Sequence, residues 1–237
     1  MIHSYATRIM IQEHSKDMFD DLSYITPHIS LHREHFRHVP KCTRDIFAKR
    51  LVRVVAATGD LLFQERYGHR AVVLETIASV PGIIGGLFQH LKSLRFIQDD
   101  NGWIQALLDE AENERMHLII YSGIACPTRI ERLIIIIVQF FFSLCYFMLY
   151  ALSPATAHRV VGYLEEEAIH SYEHYLRLVH SGSHENIPAT PLAISYWNLS
   201  PHARLTDMIE ATIIDEMAHR DVNHRFSDDK KGTQLWH

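Results

Sequence analysis

The sequence predicts an all-α protein, and three observations support this prediction. Apolar residues recur at helical spacing in long stretches that follow one another with few breaks from residue 44 onwards. Alternation of apolar and polar residues, which would indicate strands, is scarce, and there is no repeat of fixed period. Hydrophobic residues make up 47% of the 237 residues, which is enough for the core of one domain.

The helices and their breaks can be placed in order along the chain. Pro-Gly at 81–82 predicts a kink in the second helix. The turn sequence Asp-Asp-Asn-Gly at 99–102 precedes the third helix, and Pro127 and Pro154 separate the next ones. Residues 182–192, rich in Gly, Ser, Asn and Pro, predict a loop. The predicted helices are 44–58, 61–91, 102–122, 131–152, 155–181 and 203–226.

The first part of the chain has a different character. Residues 1–43 are mixed and rich in histidine, and they predict a partly irregular arm in which Pro27 interrupts a helix at 16–40. Residues 44–237 are predicted to form one domain. The formal net charge of −5 argues against binding to nucleic acid. The three widely spaced cysteines indicate neither a disulfide framework nor a cysteine metal site.

Several residues have the character of metal ligands. Glu75 lies in the segment AVVLETIASV, and a buried lone carboxylate is costly unless a proton or a metal ion compensates it. The spacing Glu-x-x-His places both side chains on one face of a helix. It occurs at Glu114 and His117, and again at Glu216 and His219. Each pair is therefore predicted to reach one metal ion.

A fourth carboxylate is predicted on the fifth helix. Glu165 and Tyr172 are seven residues apart and share one helix face, roughly opposite the face of Glu167 and His170. If Glu165 faces the interior, the pair Glu167 and His170 has the Glu-x-x-His spacing by accident or serves another purpose. Glu166 is interpreted as part of a solvated run of charge.

Four predicted helices thus carry a lone Glu, a Glu-x-x-His pair, a lone Glu and a second Glu-x-x-His pair. Ferritin-like di-iron bundles use this inventory. Four carboxylates and two imidazoles suit a pair of iron or manganese ions better than zinc, which prefers fewer and softer ligands. The sequence therefore predicts a ferritin-like four-helix bundle with a di-iron centre. Its predicted ligands are Glu75, Glu114, His117, Glu165, Glu216 and His219.

Five segments resemble the motifs of a known family: LETIASVPG, AENERMHL, HRVVGYLEEEAIHSY, YWNLS and DEMAHRDVNH. They are similar, in the same order, to motifs of the alternative oxidases, the cyanide-insensitive ubiquinol oxidases of mitochondria. The resemblance runs from residue 60 to residue 228 and is loose before that. It implies iron ligands at the same six residues and a redox-active tyrosine at Tyr172 beside the iron site.

The resemblance also implies two further groups of residues. One belongs to the hydrogen-bond network around the iron site: Asn113, His158, Tyr196, Trp197 and Asp215. The other belongs to the quinol pocket: Arg70, Leu74, Glu167, Ala168 and Ser171. Ser171 stands where several members of the family have Thr. The stretch YSGIACPTRIE departs from the family pattern, and no counterpart of the regulatory cysteines of some plant members is identified.

The apolar run at 133–153 is long enough to span a bilayer as a helix. However, His117 precedes this run and Glu165 follows it, so a span would place two metal ligands on opposite sides of the membrane. A ferritin-like bundle needs a long crossover between its second and third ligand helices. We therefore predict that 133–153 is this crossover, lying on the membrane surface with its apolar face in lipid. The resemblance implies the same monotopic arrangement in one leaflet.

Together, the residues and the resemblance predict a ubiquinol:oxygen oxidoreductase that reduces O2 to water at two iron ions and pumps no protons. The resemblance implies a homodimer at the mitochondrial inner membrane, or at that of a related organelle. Three alternatives stay open: another di-iron enzyme such as a quinone-ring hydroxylase, a ferritin-like iron-binding protein, and a metal-free membrane helix protein. Tyr172 favours an oxidase over a hydroxylase, the apolar crossover speaks against a storage protein, and a metal-free protein leaves Glu75 and Glu165 unexplained.

Overall fold

The computed structural model describes residues 37–63, 67–229 and 232–236. Within these ranges the chain is helical, with one isolated bridge and no strand, so the all-α prediction is confirmed. The helix predicted at 16–40 lies outside the described residues except for 37–40, which are not helical. The predicted domain boundary after residue 43 stays a prediction. The helices described all lie within the unit His38–His237.

Seven helices lie in the described part of the chain, and six of them correspond to the predicted ones. The additional helix has six residues and begins at Pro191, where the Thr190 hydroxyl accepts a hydrogen bond from the Ala193 amide. The helices are α1 (Thr43–Phe63), α2 (Tyr67–Phe96), α3 (Trp103–Ala125), α4 (Arg129–Leu152), α5 (Pro154–His180), α6 (Pro191–Tyr196) and α7 (Leu205–Asp228).

The predicted breaks coincide with local stop and start signals. Gly102, with φ of 79°, takes the left-handed conformation just before α3. Thr128 and Glu131 form a reciprocal capping box at the start of α4. Ser153 caps α5 through its side chain, and Pro154 occupies the first turn, where its missing N–H costs nothing. These signals end one helix and begin the next within a few residues.

Helix α2 passes very close to α3 at Gly82. A Cβ atom at this position would lie 2.2 Å from the carbonyl oxygen of Leu107 and 3.0 Å from the Cβ of Ala111. Only glycine lets the two backbones approach this closely. Helix α2 continues through the neighbouring Pro81, and the predicted kink there stays a prediction.

The four helices that carry the predicted ligands enclose a common core. Helix α2 packs along α3 and α5 packs along α7, and α4 connects the two pairs. One apolar cluster draws buried residues from all four ligand helices, including Val72, Tyr121, Tyr172 and Ile209. The pairs are thereby held face to face, as in a four-helix bundle with one long crossover.

Helix α4 exposes most of its apolar surface. Among the described residues, two helical segments, His69–Phe96 and Arg129–Leu152, are long and apolar enough to cross a membrane on length and composition alone. The most apolar window of the first is 56% buried, as in an ordinary core helix, whereas that of the second is 11% buried. The exposed large apolar residues of α4 are Ile130, Leu133, Ile134, Ile136, Ile137, Phe140, Phe141, Leu144, Phe147, Met148 and Leu152.

Candidate metal centre

The four ligand helices bring six acidic and histidine side chains together in the interior. Each of the six has an exposed fraction of 8% or less, which is rare for ionisable groups unless they are compensated. They are Glu75 of α2, Glu114 and His117 of α3, Glu165 of α5, and Glu216 and His219 of α7.

The donor atoms of these side chains form two overlapping groups. The first group comprises Glu75, Glu114, His117 and Glu216, with all donor atoms within 4.8 Å of one another. The second comprises Glu114, Glu165, Glu216 and His219, within the same distance. Glu114 and Glu216 belong to both groups. Two shared carboxylates between two sets of terminal ligands are the arrangement expected of a pair of bridged metal ions.

Both imidazoles turn the same nitrogen towards the carboxylates. Nδ1 of His219 lies 2.7 Å from Oε1 of Glu114. Nδ1 of His117 lies 3.4 Å from Oε2 of Glu75 and 3.4 Å from Oε1 of Glu216. The two rings are thus oriented as ligands, each with its Nδ1 available to the same small centre.

Many of these donor atoms are fully buried and have no hydrogen-bond partner among the described residues. A buried polar atom without a partner costs about 1–3 kcal/mol, and more when it is charged. A metal ion would satisfy several of them at once, so the residues fit a metal. The unpartnered atoms within the described ranges are Oε2 of Glu75, both carboxyl oxygens of Glu114, Nδ1 of His117, Oε2 of Glu216 and Nδ1 of His219.

The buried carboxyl groups and imidazoles of the centre shift one another's pKa. Burial and the nearby Glu216 carboxylate raise the pKa of Glu114 and of Glu165 well above the usual range. Burial alone would also raise the pKa of Glu216, but the nearby His117 and His219 imidazoles outweigh it and hold that pKa below its usual value. Buried carboxyl groups and imidazoles that shift one another's pKa in this way are typical of a functional site.

A hydrogen-bond network centred on Asp215 supports the first group. Asp215 Oδ2 accepts hydrogen bonds from Nε2 of His117 at 3.0 Å, Nε1 of Trp197 at 2.8 Å and Nδ2 of Asn113 at 3.0 Å. Asn113 also donates to the hydroxyl of Tyr196 at 2.6 Å. Four of the five residues that the resemblance implies for the network therefore lie together beside His117. The carboxylate fixes the ring so that Nδ1 faces the centre.

The fifth network residue, His158, lies on the other side of the centre. It is fully buried, and its Nδ1 lies 2.9 Å from Oδ1 of Asn223. Asn223 in turn donates to the carboxyl of Glu110 and to the backbone carbonyl of His219. Sequence reasoning missed Glu110 and Asn223. Their spacing was a usable signal, since each lies four residues from a predicted ligand and so on the same helix face.

Tyr172 touches a residue of the first group. Its hydroxyl donates a hydrogen bond to Oε1 of Glu75, and the side chain is 3% exposed. Burial and the Glu75 carboxylate raise the pKa of Tyr172 well above its usual range. The ring of Tyr121 lies 5.4 Å away, centroid to centroid. Tyr172 is therefore a neutral phenol in contact with the centre.

The residues that the resemblance implies for the quinol pocket lie on α2 and α5. Ser171 is buried and the other four are half-buried, and all five lie on helices that carry a predicted ligand. Their joint role stays a prediction. They are Arg70, Leu74, Glu167, Ala168 and Ser171.

Three further residues of α5, Glu166, Glu167 and His170, lie close in sequence to Glu165. In the described part of the chain, neither metal group contains Glu167 or His170. The interpretation of Glu166 as a solvated charge is wrong, since it is 7% exposed. Its Oε1 accepts a hydrogen bond from the backbone N–H of His38 at 2.6 Å and lies 3.1 Å from Nε2 of His224. These partners are remote in sequence, so the run of three glutamates gave no sign of them.

A helix bundle that encloses four carboxylates and two imidazoles, with donor atoms left for an ion, is a metal-binding protein of the carboxylate-bundle class. A model of the family described as alternative oxidase matches residues 28–228. The chain belongs to the alternative oxidase family.

Individual relatives agree with this assignment. The chain is 53% identical over 191 residues to a mitochondrial ubiquinol oxidase of Mangifera indica, covering 81% of this chain and 60% of the relative. It is 53% identical over 191 residues to mitochondrial ubiquinol oxidase 2 of Glycine max, covering 81% and 57%. A mitochondrial ubiquinol oxidase of Batrachochytrium dendrobatidis is 48% identical over 190 residues, covering 80% of this chain and 60% of the relative. The chain thus spans less than two thirds of the length of these relatives.

Proposed function

We propose that this chain is an iron-dependent ubiquinol oxidase, which transfers electrons from ubiquinol to O2 and forms water. The observation that carries the proposal is the pair of donor groups that share Glu114 and Glu216, with the hydroxyl of Tyr172 bonded to Glu75 at their edge. The names of the relatives support ubiquinol as the electron donor. The overall reaction is balanced as two ubiquinols and one O2 giving two ubiquinones and two waters.

The proposed cofactor is a pair of iron ions. Hard carboxylate oxygens dominate the donor set, and the two imidazoles complete it, which suits iron or manganese better than zinc. One ion would be held by Glu75 and His117 and the other by Glu165 and His219, with the two shared carboxylates between them. When bound, the iron ions supply reversible one-electron exchange with O2.

The protein's own groups orient the ligands and supply a proton and an electron. Asp215 holds the His117 ring through Nε2, which leaves Nδ1 as the ligand atom. The Tyr172 hydroxyl can give up an electron while its proton passes to Oε1 of Glu75, along an existing hydrogen bond. Apolar packing around Tyr121 and Tyr172 excludes water from this side of the centre.

The proposed quinol site lies beside the centre, where α2 and α5 meet. Leu74 directly precedes the ligand Glu75, and Glu167 and Ala168 follow the ligand Glu165 by two and three residues. Because all are half-buried, a ring bound there would lie close to the metal ligands and still be reached from the surface. This placement supports a route for electrons from quinol to the centre.

A monotopic position in one leaflet of the mitochondrial inner membrane is part of the proposal. Eleven large apolar residues on α4 are exposed, and exposed apolar residues grouped in this way mark an interaction surface. Helix α1 adds Ile46, Phe47, Leu51 and Val54, all exposed. The flanking helices α3 and α5 both contribute to the metal centre, so α4 cannot separate them across a bilayer. The relatives' names supply the organelle.

A homodimer is also proposed, through the outer face of α2. Ile83, Leu87, Leu91 and Leu94 recur at helical spacing and are 44–63% exposed, and Leu108 of α3 lies beside them at 41%. A self-complementary contact would bury these residues around a two-fold axis.

Product analysis tests the proposed reaction directly. Iron-loaded protein in lipid vesicles is given ubiquinol under air, and the quinone product is examined by mass spectrometry while O2 uptake is followed. Unmodified ubiquinone, with one O2 consumed for two quinols, is the expected result. A product heavier by one oxygen atom would instead identify a ring hydroxylase, and quinol left unoxidised by a protein that holds two irons would identify an iron-binding protein.

A further inference from the structure

A chain of buried hydrogen bonds leads away from the His219 side of the metal centre. Its inner end is Asn223, whose Nδ2 donates to the backbone carbonyl of His219 at 3.0 Å and to Oε2 of Glu110 at 2.8 Å. Asn223 is 1% exposed and Glu110 is 4% exposed. The amide therefore links helix α7, one turn after its ligand His219, to helix α3, one turn before its ligand Glu114.

The chain continues through three residues to the C-terminal segment 232–236. Nδ1 of His158 lies 2.9 Å from Oδ1 of Asn223, and its Nε2 lies 3.0 Å from the hydroxyl of Tyr150. Nε2 of Gln89 donates to the Tyr150 hydroxyl at 3.2 Å and to the carbonyl oxygen of Gly232 at 2.9 Å. Each of the three side chains comes from a different helix: α5, α4 and α2.

The direction of every hydrogen bond in the chain is determined. The Asn223 amide nitrogen faces two acceptors, so its oxygen must face His158, which then carries its proton on Nδ1. Burial lowers the pKa of His158 to about 4, so the ring is neutral and its Nε2 accepts from Tyr150. Rotating either amide would set its oxygen against a backbone carbonyl, and turning the His158 ring over would put carbon atoms where its nitrogens lie. The donors and acceptors in this series of hydrogen bonds consequently have one arrangement.

The segment 232–236 holds the outer end of the chain in place. Gly232 packs against the ring of Trp103 so closely that a Cβ atom on residue 232 would lie 2.0 Å from the nearest ring atom. Leu235 is buried in an apolar cluster, and its carbonyl accepts from Nη1 of Arg95 at 3.0 Å. Trp236 packs on Arg95 with its ring centroid 4.8 Å from the guanidinium carbon. This segment is therefore fixed by both packing and hydrogen bonds.

The two halves of the metal centre are supported in different ways. His117 is held through its ring by Asp215, whereas His219 is reached through its backbone by Asn223. We propose that Asn223 is a positioning residue for the His219 half of the centre alone. The series of hydrogen bonds that ends at Gly232 sets the orientation of the Asn223 amide. The inference rests on the proposed pair of metal sites, and it adds a residue that positions the ligand of one of them.

Cobalt(II) binding to variants with one site removed tests this proposal. Glu75→Ala leaves the His219 site as the one to be measured, and Glu165→Ala leaves the His117 site. Adding Asn223→Leu to Glu75→Ala is expected to weaken cobalt binding by about tenfold or more, the usual effect of losing a group that supports a ligand. Adding it to Glu165→Ala is expected to change nothing. Equal weakening in both backgrounds, or none in either, would overturn the proposal.

A second variant keeps the test decisive if Asn223→Leu folds poorly. Gln89→Leu breaks the chain at its outer end and leaves the Asn223 contacts intact, so it is expected to show the same selectivity with a smaller loss. Gly123→Ala is the matched control, because its new Cβ meets nothing within 4 Å in the described part of the chain and should change neither site. An effect of Gln89→Leu on the His117 site alone would contradict the proposal. Wild-type protein that binds fewer than two cobalt ions would overturn the metal centre itself, and this inference with it.

Discussion

The hydroxyl of Tyr172 donates a hydrogen bond to Oε1 of Glu75, a carboxylate of the first donor group. The phenol lies within the apolar core, so this hydrogen bond is a direct polar route from the ring to the metal centre. A tyrosine in this position can lose a proton to a carboxylate as it loses an electron, and a phenylalanine cannot.

Tyr172→Phe is therefore expected to keep its iron and lose at least about 90% of its ubiquinol oxidation, an effect in the range of a lost proton-transfer group. Iron content and O2 uptake measured on the same sample check this. Tyr121→Phe is the control, since its hydroxyl bonds to Thr212 rather than to a ligand. Normal turnover by the Tyr172→Phe variant would remove the tyrosine from the mechanism.

The shared carboxylates predict a pattern of metal stoichiometry. Glu114 belongs to both donor groups, so Glu114→Ala is expected to abolish binding of both ions. Glu75 and Glu165 belong to one group each, so either alanine variant is expected to retain one ion. Iron per chain, measured after anaerobic loading and desalting, distinguishes these cases. If Glu114→Ala retained as much iron as Glu75→Ala, the carboxylate would not bridge.

The exposed apolar face of α4 predicts the effect of adding a charge. Ile137→Glu is expected to reduce binding to lipid vesicles by about tenfold or more, because it removes apolar burial and places a carboxylate in the acyl region. Ile214→Glu on α7 is the matched control, with 55% of its side chain exposed against 48% for Ile137. Vesicle flotation measures both. If the two variants bound vesicles equally well, α4 would not be the membrane-binding helix.

Burial of neutral His158 predicts a pH dependence of folding stability. Its pKa is about 4 in the folded protein and near 6.5 when unfolded, so the unfolded chain takes up the proton first. This contribution is present above pH 6.5 and is lost as the pH falls towards 4, by up to about 3 kcal/mol. The metal-free His158→Gln variant should lose less stability over this range in urea unfolding. Identical losses in both proteins would contradict the burial of a neutral ring.

The six residues that meet in the candidate metal centre could be selected from the sequence because their signals are local. Each Glu-x-x-His pair lies within one turn, and an isolated Glu75 among apolar residues indicates a compensated charge without reference to any partner. The crossover position of α4 followed from requiring that ligands before and after it meet. The rest of the fold followed from helical spacing of apolar residues and from the prolines, glycines and turn residues that separate the helices.

The residues that were missed or misread depend on distant partners. Glu110 and Asn223 satisfy each other across 113 positions, and Glu166 is buried by residue 38 and His224. No local pattern distinguishes such a carboxylate from a solvated one. The short helix α6 was not predicted, because six residues are too few to show a helical period.

Cyanide-insensitive O2 uptake driven by ubiquinol, measured with iron-loaded protein in lipid, tests the proposed function most directly. Uptake is expected in the wild-type protein and is expected to stop in Glu165→Ala, which loses a ligand of the second donor group. Glu167→Ala should keep its iron, because Glu167 lies outside both groups. No uptake by wild-type protein that holds two irons per chain would contradict the oxidase function.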